Sequence, residues 1–508
     1  SLYHFTIGGP IEDTRLTTHP AYPWSCEIPN GRFIIREGGV LGSVAQEKIR
    51  PLPPSSTVLW NGIKLSRLGA GLSGFSNYKT DHKNALDELL LSPVNVLETS
   101  PDETEGMDEV LMGNRANKMA EQNGWKADGI VFMVRSGMIL GRTERLVHEM
   151  TKRNRPFEDI VELRGGKKVC LHPEFLHDRL IRSLHRLGLK TLDLFFIRIP
   201  IELVSVLGTE ECMDRIHRAG HFLQGQCDTG KLNGFGLSSQ SLLCASDDRN
   251  FLSLDKLFRR LKDFPGFSGI EFHANFLEPG FCLKTVIETA KGNGLTLFSG
   301  SPLRAQLNGE ERLLVGAPTA QMGNTKDVKK EVLQKIKIKE EEIHTTVLAD
   351  GRTIEEMLRQ SGIPSPFKVH SLIEHFFGDE VESKEKFFQM DNRLGEMVEQ
   401  IEFLGEQMVR AGLWDDNDKN DAVSEIQTLL SEAKNFYRMR LRIELDDGID
   451  QLREQYFPGT SPSVSLQALG IQWLWGQGID VVLNGMRHPS YVQEACKLMQ
   501  ENGLDLNR

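Results

Sequence analysis

No segment of this 508-residue sequence has the roughly 18 consecutive apolar residues of a membrane-spanning helix. Cysteine is sparse: seven residues, at 26, 170, 212, 227, 244, 282 and 496, with no CxxC pair among them. An odd number without metal-type spacing argues against a disulfide framework and for a reducing compartment. There each thiol serves as a small, mostly buried apolar group. Positive charge is short, with 60 Lys and Arg against 71 Asp and Glu, a formal net charge of −11. That balance disfavours a broad nucleic-acid-binding face and leaves only a local basic patch open. There are six tyrosines, at 3, 22, 78, 437, 456 and 491, and none lies between Tyr78 and Tyr437. Neither an HExxH pair nor a nucleophile elbow occurs. Asp416, Asp418 and Asn420 mimic the start of a calcium loop, but Asp421 replaces its glycine and Gln427 its closing glutamate. A solvated turn is expected there, and no metal.

What is present is a globular composition, 39% hydrophobic and 26% charged, ample for one large domain with an appendage. PLPPSS (51–56) reads as a linker after a Gly- and Pro-rich start. Eight short apolar runs then alternate with amphipathic helical patterns: 66–75, 94–100, 129–137, 192–200, 234–239, 269–276, 295–302 and 479–486. Eight βα units predict a (β/α)8 TIM barrel of the α/β class, with its site at the C-terminal strand ends. Between the seventh strand and the last helix–strand unit lies an insertion of a different pattern. Phe387, Met390, Leu394, Met397, Ile401, Leu404, Met408 and Ala411 form a heptad seam. WDDNDKND (414–421) is a polar turn, and Val423, Ile426, Leu430, Ala433 and Tyr437 form a second seam. Together they predict an antiparallel helical hairpin, coiled-coil-like, either folded back on the barrel or projecting as an arm. KIKIKEEE (335–342) is read as an exposed helix or strand face. The expected layout is an N-terminal extension (1–57), a barrel body (58–307), the helical insertion (308–460) and the barrel completion (461–508).

Several segments share one resemblance. SLHRLGLKTLDLFFIRIP (183–200), LSRLGAG (65–71), ETSPDETEGMDEVLMG (98–113), GKLNGFGLSS (230–239), AKGNGLTLFSGSPL (290–303) and SLQALGIQWLWGQGIDVVLNG (465–485) occur in order. The chain resembles the aldo-keto reductases over about 58–303 and 461–500. The resemblance implies a nicotinamide-dependent carbonyl reduction. In that family a tyrosine donates the proton, a lysine–aspartate pair tunes it and a histidine orients the carbonyl.

The residues at those positions differ. Glu98 stands for the aspartate, Arg135 for the lysine and Arg198 for the histidine. The tyrosine would fall near Glu103 or Thr104, and no tyrosine is near enough to replace it. A carboxylate there donates a proton only if its pKa is strongly raised, and two nearby arginines oppose that. Glu98, Arg135 and Arg198 are therefore expected to form a buried ion-pair network across the barrel mouth. The implied cofactor positions are Ser238, Ser239, Glu271, Ser301, Leu303 and Arg487, with Gly300 where a stacking tyrosine is expected. Arg487 ahead of a helix start suits a phosphate. The cofactor expectation is accordingly none, or residual NADP(H). The functional expectation is a catalytically degenerate barrel acting as a structural or scaffolding subunit, its insertion and N-terminal extension contacting protein partners. The alternatives are an NADP(H)-dependent oxidoreductase with non-standard acid–base residues, or a nucleotide-binding pseudoenzyme. The chain begins at Ser1, read as a removed leader or a trimmed start. The mitochondrial matrix is the expected location and the cytoplasm the alternative.

Overall fold

The computed structural model describes residues 52–75, 80–123, 129–307, 310–314, 351–361, 451–461 and 464–500, with scattered positions between 334 and 424. The chain enters through an antiparallel hairpin of β1 (Thr57–Trp60) and β2 (Ile63–Ser66). Its two-residue turn, Asn61–Gly62, has φ of 47° and 80°, the backbone that matches strand twist and that Asn-Gly adopts readily. Trp60 is buried and its indole N–H donates to Ser268 Oγ at 3.0 Å.

Eight parallel strands close into the expected barrel. They are β3 (Leu68–Gly71), β4 (Val96–Thr99), β5 (Val131–Ser136), β9 (Leu192–Ile199), β10 (Leu232–Ser239), β11 (Phe267–His273), β12 (Thr296–Gly300) and β15 (Val481–Asn484), neighbours in that order. Each of the eight apolar runs overlaps one of them, although β10 and β11 each begin two residues earlier than expected. β4 and β5 are buried at every residue, as strands covered on both faces must be. Gly236 is required in β10, because a Cβ there would lie 2.5 Å from the Gly269 carbonyl and 2.6 Å from the Phe196 ring.

The crossovers are α1 (Thr80–Leu91), α2 (Pro101–Thr104) with α3 (Met107–Asn123), α4 (Arg142–Lys152) with α5 (Pro173–Leu187), α6 (Ile201–Leu207) with α7 (Thr209–Asp228), α8 (Leu254–Leu261) and α9 (Leu283–Gly292). α5 shows why the local sequence suffices for a helix. Pro173 starts it, and Gly188, at φ 69°, ends it with bonds to the His185 and Leu184 carbonyls.

A small antiparallel sheet after β5 was not expected from the sequence. It pairs β6 (Met138–Ile139) and β7 (Val161–Glu162) on either side of β8 (Lys168–Val169). Strands of two residues leave no period to read.

The described residues fall into two compact units. The first holds those up to Gly74, Leu89–Phe272 and Lys284–Leu297; the second holds Phe75, Thr80–Glu88, His273–Leu283 and those from Phe298 onward. In the second unit, β13 (Arg304–Leu307) and β14 (Glu310–Leu313) form a hairpin and α10 (Ile354–Ser361) follows. α11 (Leu466–Gln477) and α12 (Pro489–Gln500) flank β15. Phe276, Ala305, Leu314, Phe457, Leu466 and Leu469 make an apolar cluster there, with Leu303 packed against it.

Some expectations need correction. PLPPSS is only in part a linker: Pro54–Ser56 is a 3-10 turn, and the buried Ser56 accepts from the Arg67 amide at 2.9 Å. Of the six described cysteines, Cys170 and Cys212 are buried while Cys227, Cys244, Cys282 and Cys496 are half-buried, and all six are free thiols. Cys227 at the end of α7 and Cys244 and Cys282 in loops lie at the edges of the core, and Cys496 lies within α12. Burial pushes the thiols up, Cys170 to about 11 and Cys212 and Cys227 to about 12. The described positions of 335–342 are helical and exposed except Glu340, which is buried. Nearly all of both heptad seams lies outside the described residues, as do 1–51 and Asp416 and Asp418; Met408 is described and buried. Among the described residues, no helix is long and apolar enough to cross a membrane and no cluster of metal-ligating side chains occurs.

Candidate functional site

The C-terminal ends of four barrel strands bring Glu98, Arg135, Arg198 and Glu271 together. Glu98 is the third residue of β4, and its carbonyl accepts from the Leu72 amide at 2.8 Å. Arg135 lies near the end of β5. Arg198, Ser238 and Glu271 stand in one row, paired Cα to Cα across β9, β10 and β11. Fixed strand register, rather than side-chain flexibility, sets these neighbours.

Arg135 is the centre of the arrangement. Its Nε lies 3.3 Å from Glu98 Oε1, its Nη1 donates to Glu271 Oε1 at 3.2 Å, and its Nη2 lies 3.8 Å from Glu103 Oε2. Arg198 Nη1 is 2.6 Å from the other oxygen of Glu103. The inner members are closed off, with side-chain exposures of 7% for Arg135, 5% for Glu98 and 1% for Glu271. Glu103 and Arg198 are the outer pair, at 34% and 25%. The expected network therefore forms, but through two carboxylates, Glu103 and Glu271, that the resemblance had placed in other roles.

Burial dominates the protonation of this group. It raises the Glu98 carboxyl to about 8; Arg135 pulls it down, while Glu271, Glu103 and Asp108 push it further up. Burial lowers the affinity of Arg135 for its proton, but Glu271, Glu98 and Glu103 more than compensate, and it stays charged. The raised carboxyl is thus Glu98, at the aspartate position, although an arginine touches it.

Sequence reasoning missed the clamps around this network. Asp102, 1% exposed, accepts from Ser136 Oγ at 2.7 Å and from the amides of Gly137 and Met138 at 2.8 and 2.7 Å. It fastens α2 to the end of β5. Asp108 accepts from the Ser100 amide, the Thr104 hydroxyl and the Glu109 amide at 2.7, 2.6 and 2.8 Å. Burial and then the adjacent Glu109 raise the Asp108 carboxyl to about 7. Glu109 in turn is 2.5 Å from Arg186 Nη2, from the end of α5. The readable signal was DETEGMDE itself, whose acidic density exceeds what a solvated turn needs.

The implied cofactor residues have other engagements. Ser239 Oγ donates to the Ile199 carbonyl at 3.0 Å and accepts from the Ser241 amide at 3.2 Å, capping a 3-10 turn. Ser238 is buried. In the second unit, Ser301 has φ of 52°, a left-handed backbone for a non-glycine residue at a strand end. Leu303 packs in the apolar cluster, and Arg487 is half-buried two residues before Pro489, which begins α12.

No protein-family model matches the sequence, and no curated protein is detectably similar to it. The chain aligns weakly with solved structures. A glycerol dehydrogenase from Gluconobacter oxydans is 14% identical over 89% of this chain and 95% of its own, with a TM-score of 0.42. A holo aldo-keto reductase from Bacillus halodurans is 14% identical over 56% and 81%, with a TM-score of 0.35. An aldo-keto reductase from Klebsiella pneumoniae, solved with NADPH, is 13% identical over 49% and 68%, with a TM-score of 0.32. Argued from its own strand order, the chain is a (β/α)8 barrel, and its motifs resemble those of the aldo-keto reductases.

Proposed function

We propose that this chain is an aldo-keto-reductase-like barrel that has given up carbonyl reduction and serves as a structural subunit of a larger assembly. One observation carries the loss of chemistry. The positions of the tuning lysine and the orienting histidine hold Arg135 and Arg198, both tied to carboxylates, and no tyrosine lies between Tyr78 and Tyr437. Burial keeps the Glu98 carboxyl protonated near neutral pH. It is 4% exposed and faces Arg135, so it offers a substrate no donor. The residues present also fit a nicotinamide poorly: the Ser239 hydroxyl is committed to its own backbone, and Gly300 supplies no ring to stack. NADPH oxidation with a panel of aldehydes and ketones is expected to stay at the no-enzyme rate. Turnover above that rate that disappears in Glu98→Gln would restore the oxidoreductase reading.

Retention of Ser301, Leu303 and Arg487 supports a second reading, a barrel that binds NADP(H) without turnover. Titration of the protein with NADPH, followed by fluorescence and thermal shift, separates the two: micromolar binding without turnover favours the sensor, and none at millimolar cofactor leaves the scaffold. The scaffold reading rests on the heptad pattern of the insertion. Deleting about 384–446 is expected to leave a folded barrel that no longer associates with its partners in pull-down from its native compartment, which we assign to the mitochondrial matrix. Association that survives the deletion removes the insertion from the contact.

A further inference from the structure

At the barrel mouth one guanidinium, Arg135, meets several carboxylates. Three carboxylates, Glu98, Glu103 and Glu271, share two guanidiniums, Arg135 and Arg198. The two innermost carboxylates, on β4 and β11, both lean on Arg135 at 5% exposure or less. Burying an uncompensated charge costs several kcal/mol, so a site of this kind takes up a proton. The hydrogen bonds decide where the proton sits. Glu271 Oε1 accepts from Arg135 Nη1, whereas Glu98 Oε1 lies beside Arg135 Nε without hydrogen-bond alignment. The carboxylate that receives less is Glu98.

We propose that the barrel mouth is a proton-linked latch: Glu98 holds one exchangeable proton, and its loss releases Glu103 and Arg198 so that the outer part of α2 opens. Once Glu98 is charged, Arg135 faces three anions. Two of them cannot leave, because they stand on buried strands. Glu103 can. It is the most exposed of the three, it already divides its carboxylate between Arg135 and Arg198, and it stands on a helix of four residues. Asp102, held by Ser136, Gly137 and Met138, fixes the start of that helix and makes it the pivot. The left-handed pair Glu105 and Gly106, at φ 55° and 83°, ends it.

The charged groups facing Glu98 are Arg135 from β5, Glu271 from β11, Glu103 from α2 and Asp108 from α3. Arg198 from β9 faces Glu103 and Asp102. The shift of the Glu98 carboxyl to about 8 agrees with this assignment and sets the range in which the latch works. The inference goes beyond the loss of reductase chemistry and holds whether or not NADPH binds.

Amide hydrogen exchange of the full chain tests it. In the closed state the Glu103 and Thr104 amides donate to the Ser100 carbonyl at 3.0 and 3.2 Å. After correction for intrinsic exchange, their protection is expected to fall about tenfold or more between about pH 7 and pH 9. In Glu98→Gln, a neutral isostere of the protonated acid, protection is expected to stay high at both pH values. In Arg198→Gln it is expected to be low at both. A wild-type protein with level protection across that range overturns the latch, whatever the variants do. So does a fall that persists in Glu98→Gln.

Discussion

Arg135→Met is expected to lower the melting temperature by on the order of 10 °C, a loss of about 3–5 kcal/mol at neutral pH. Arg135 contacts both Glu98 and Glu271, and both carboxylates are nearly inaccessible to water. Removing it takes from both the guanidinium that offsets their desolvation. The partners decide whether this explanation is right. Arg135→Met combined with Glu98→Gln and Glu271→Gln is expected to recover most of the lost stability, because neutral groups need no cation. Arg135→Lys is expected to fall between, since a point charge cannot reach three carboxylates with one planar fork. A single Arg135→Met variant as stable as the wild type would mean that the network holds nothing together.

Stability is expected to fall as pH rises from about 5 to 9, against the usual preference of folded proteins for neutral pH. The native Glu98 carboxyl titrates at about 8 rather than 4.5, and Asp108 at about 7 rather than 3.8. Between those values the native state holds protons that the unfolded chain has released. Each group's contribution is therefore complete below its unfolded pKa and is lost as pH climbs through its folded one. Both shifts are driven by burial, and each corresponds to on the order of a few kcal/mol. Asp178 sets the acid limit with the opposite sign. Burial raises it, but Arg179 and Arg182 outweigh burial and bring it to about 2, so its support is lost below about pH 4. Thermal scans across this range should show a maximum on the mildly acid side. Glu98→Gln should flatten the decline above pH 7 and leave the part due to Asp108. An unchanged decline in Glu98→Gln would remove Glu98 as its source.

How legible the protein was depended on the range of the interaction. The eight strands were readable because a buried parallel strand is an apolar run wherever it occurs, as VFMVRS at β5 illustrates. The Asn61–Gly62 hairpin was equally local and could have been found from its turn dipeptide. The sheet of β6, β7 and β8 could not, since its two-residue strands exist only through pairing across 138–169. In the site, the resemblance brought Glu98, Arg135 and Arg198 to one place but assigned Glu271 to a cofactor. Its hydrogen bond to Arg135 spans 136 residues of chain and exists because β11 and β5 both point into one barrel.

The sequence by itself determined the βα alternation, the stretch without a tyrosine between Tyr78 and Tyr437 and the arginines at 135 and 198, because these are properties of residue type and short-range period. Only the tertiary structure decided which carboxylates answer those arginines and which of them keeps a proton. Burial and register set both, and neither exists until the barrel has closed.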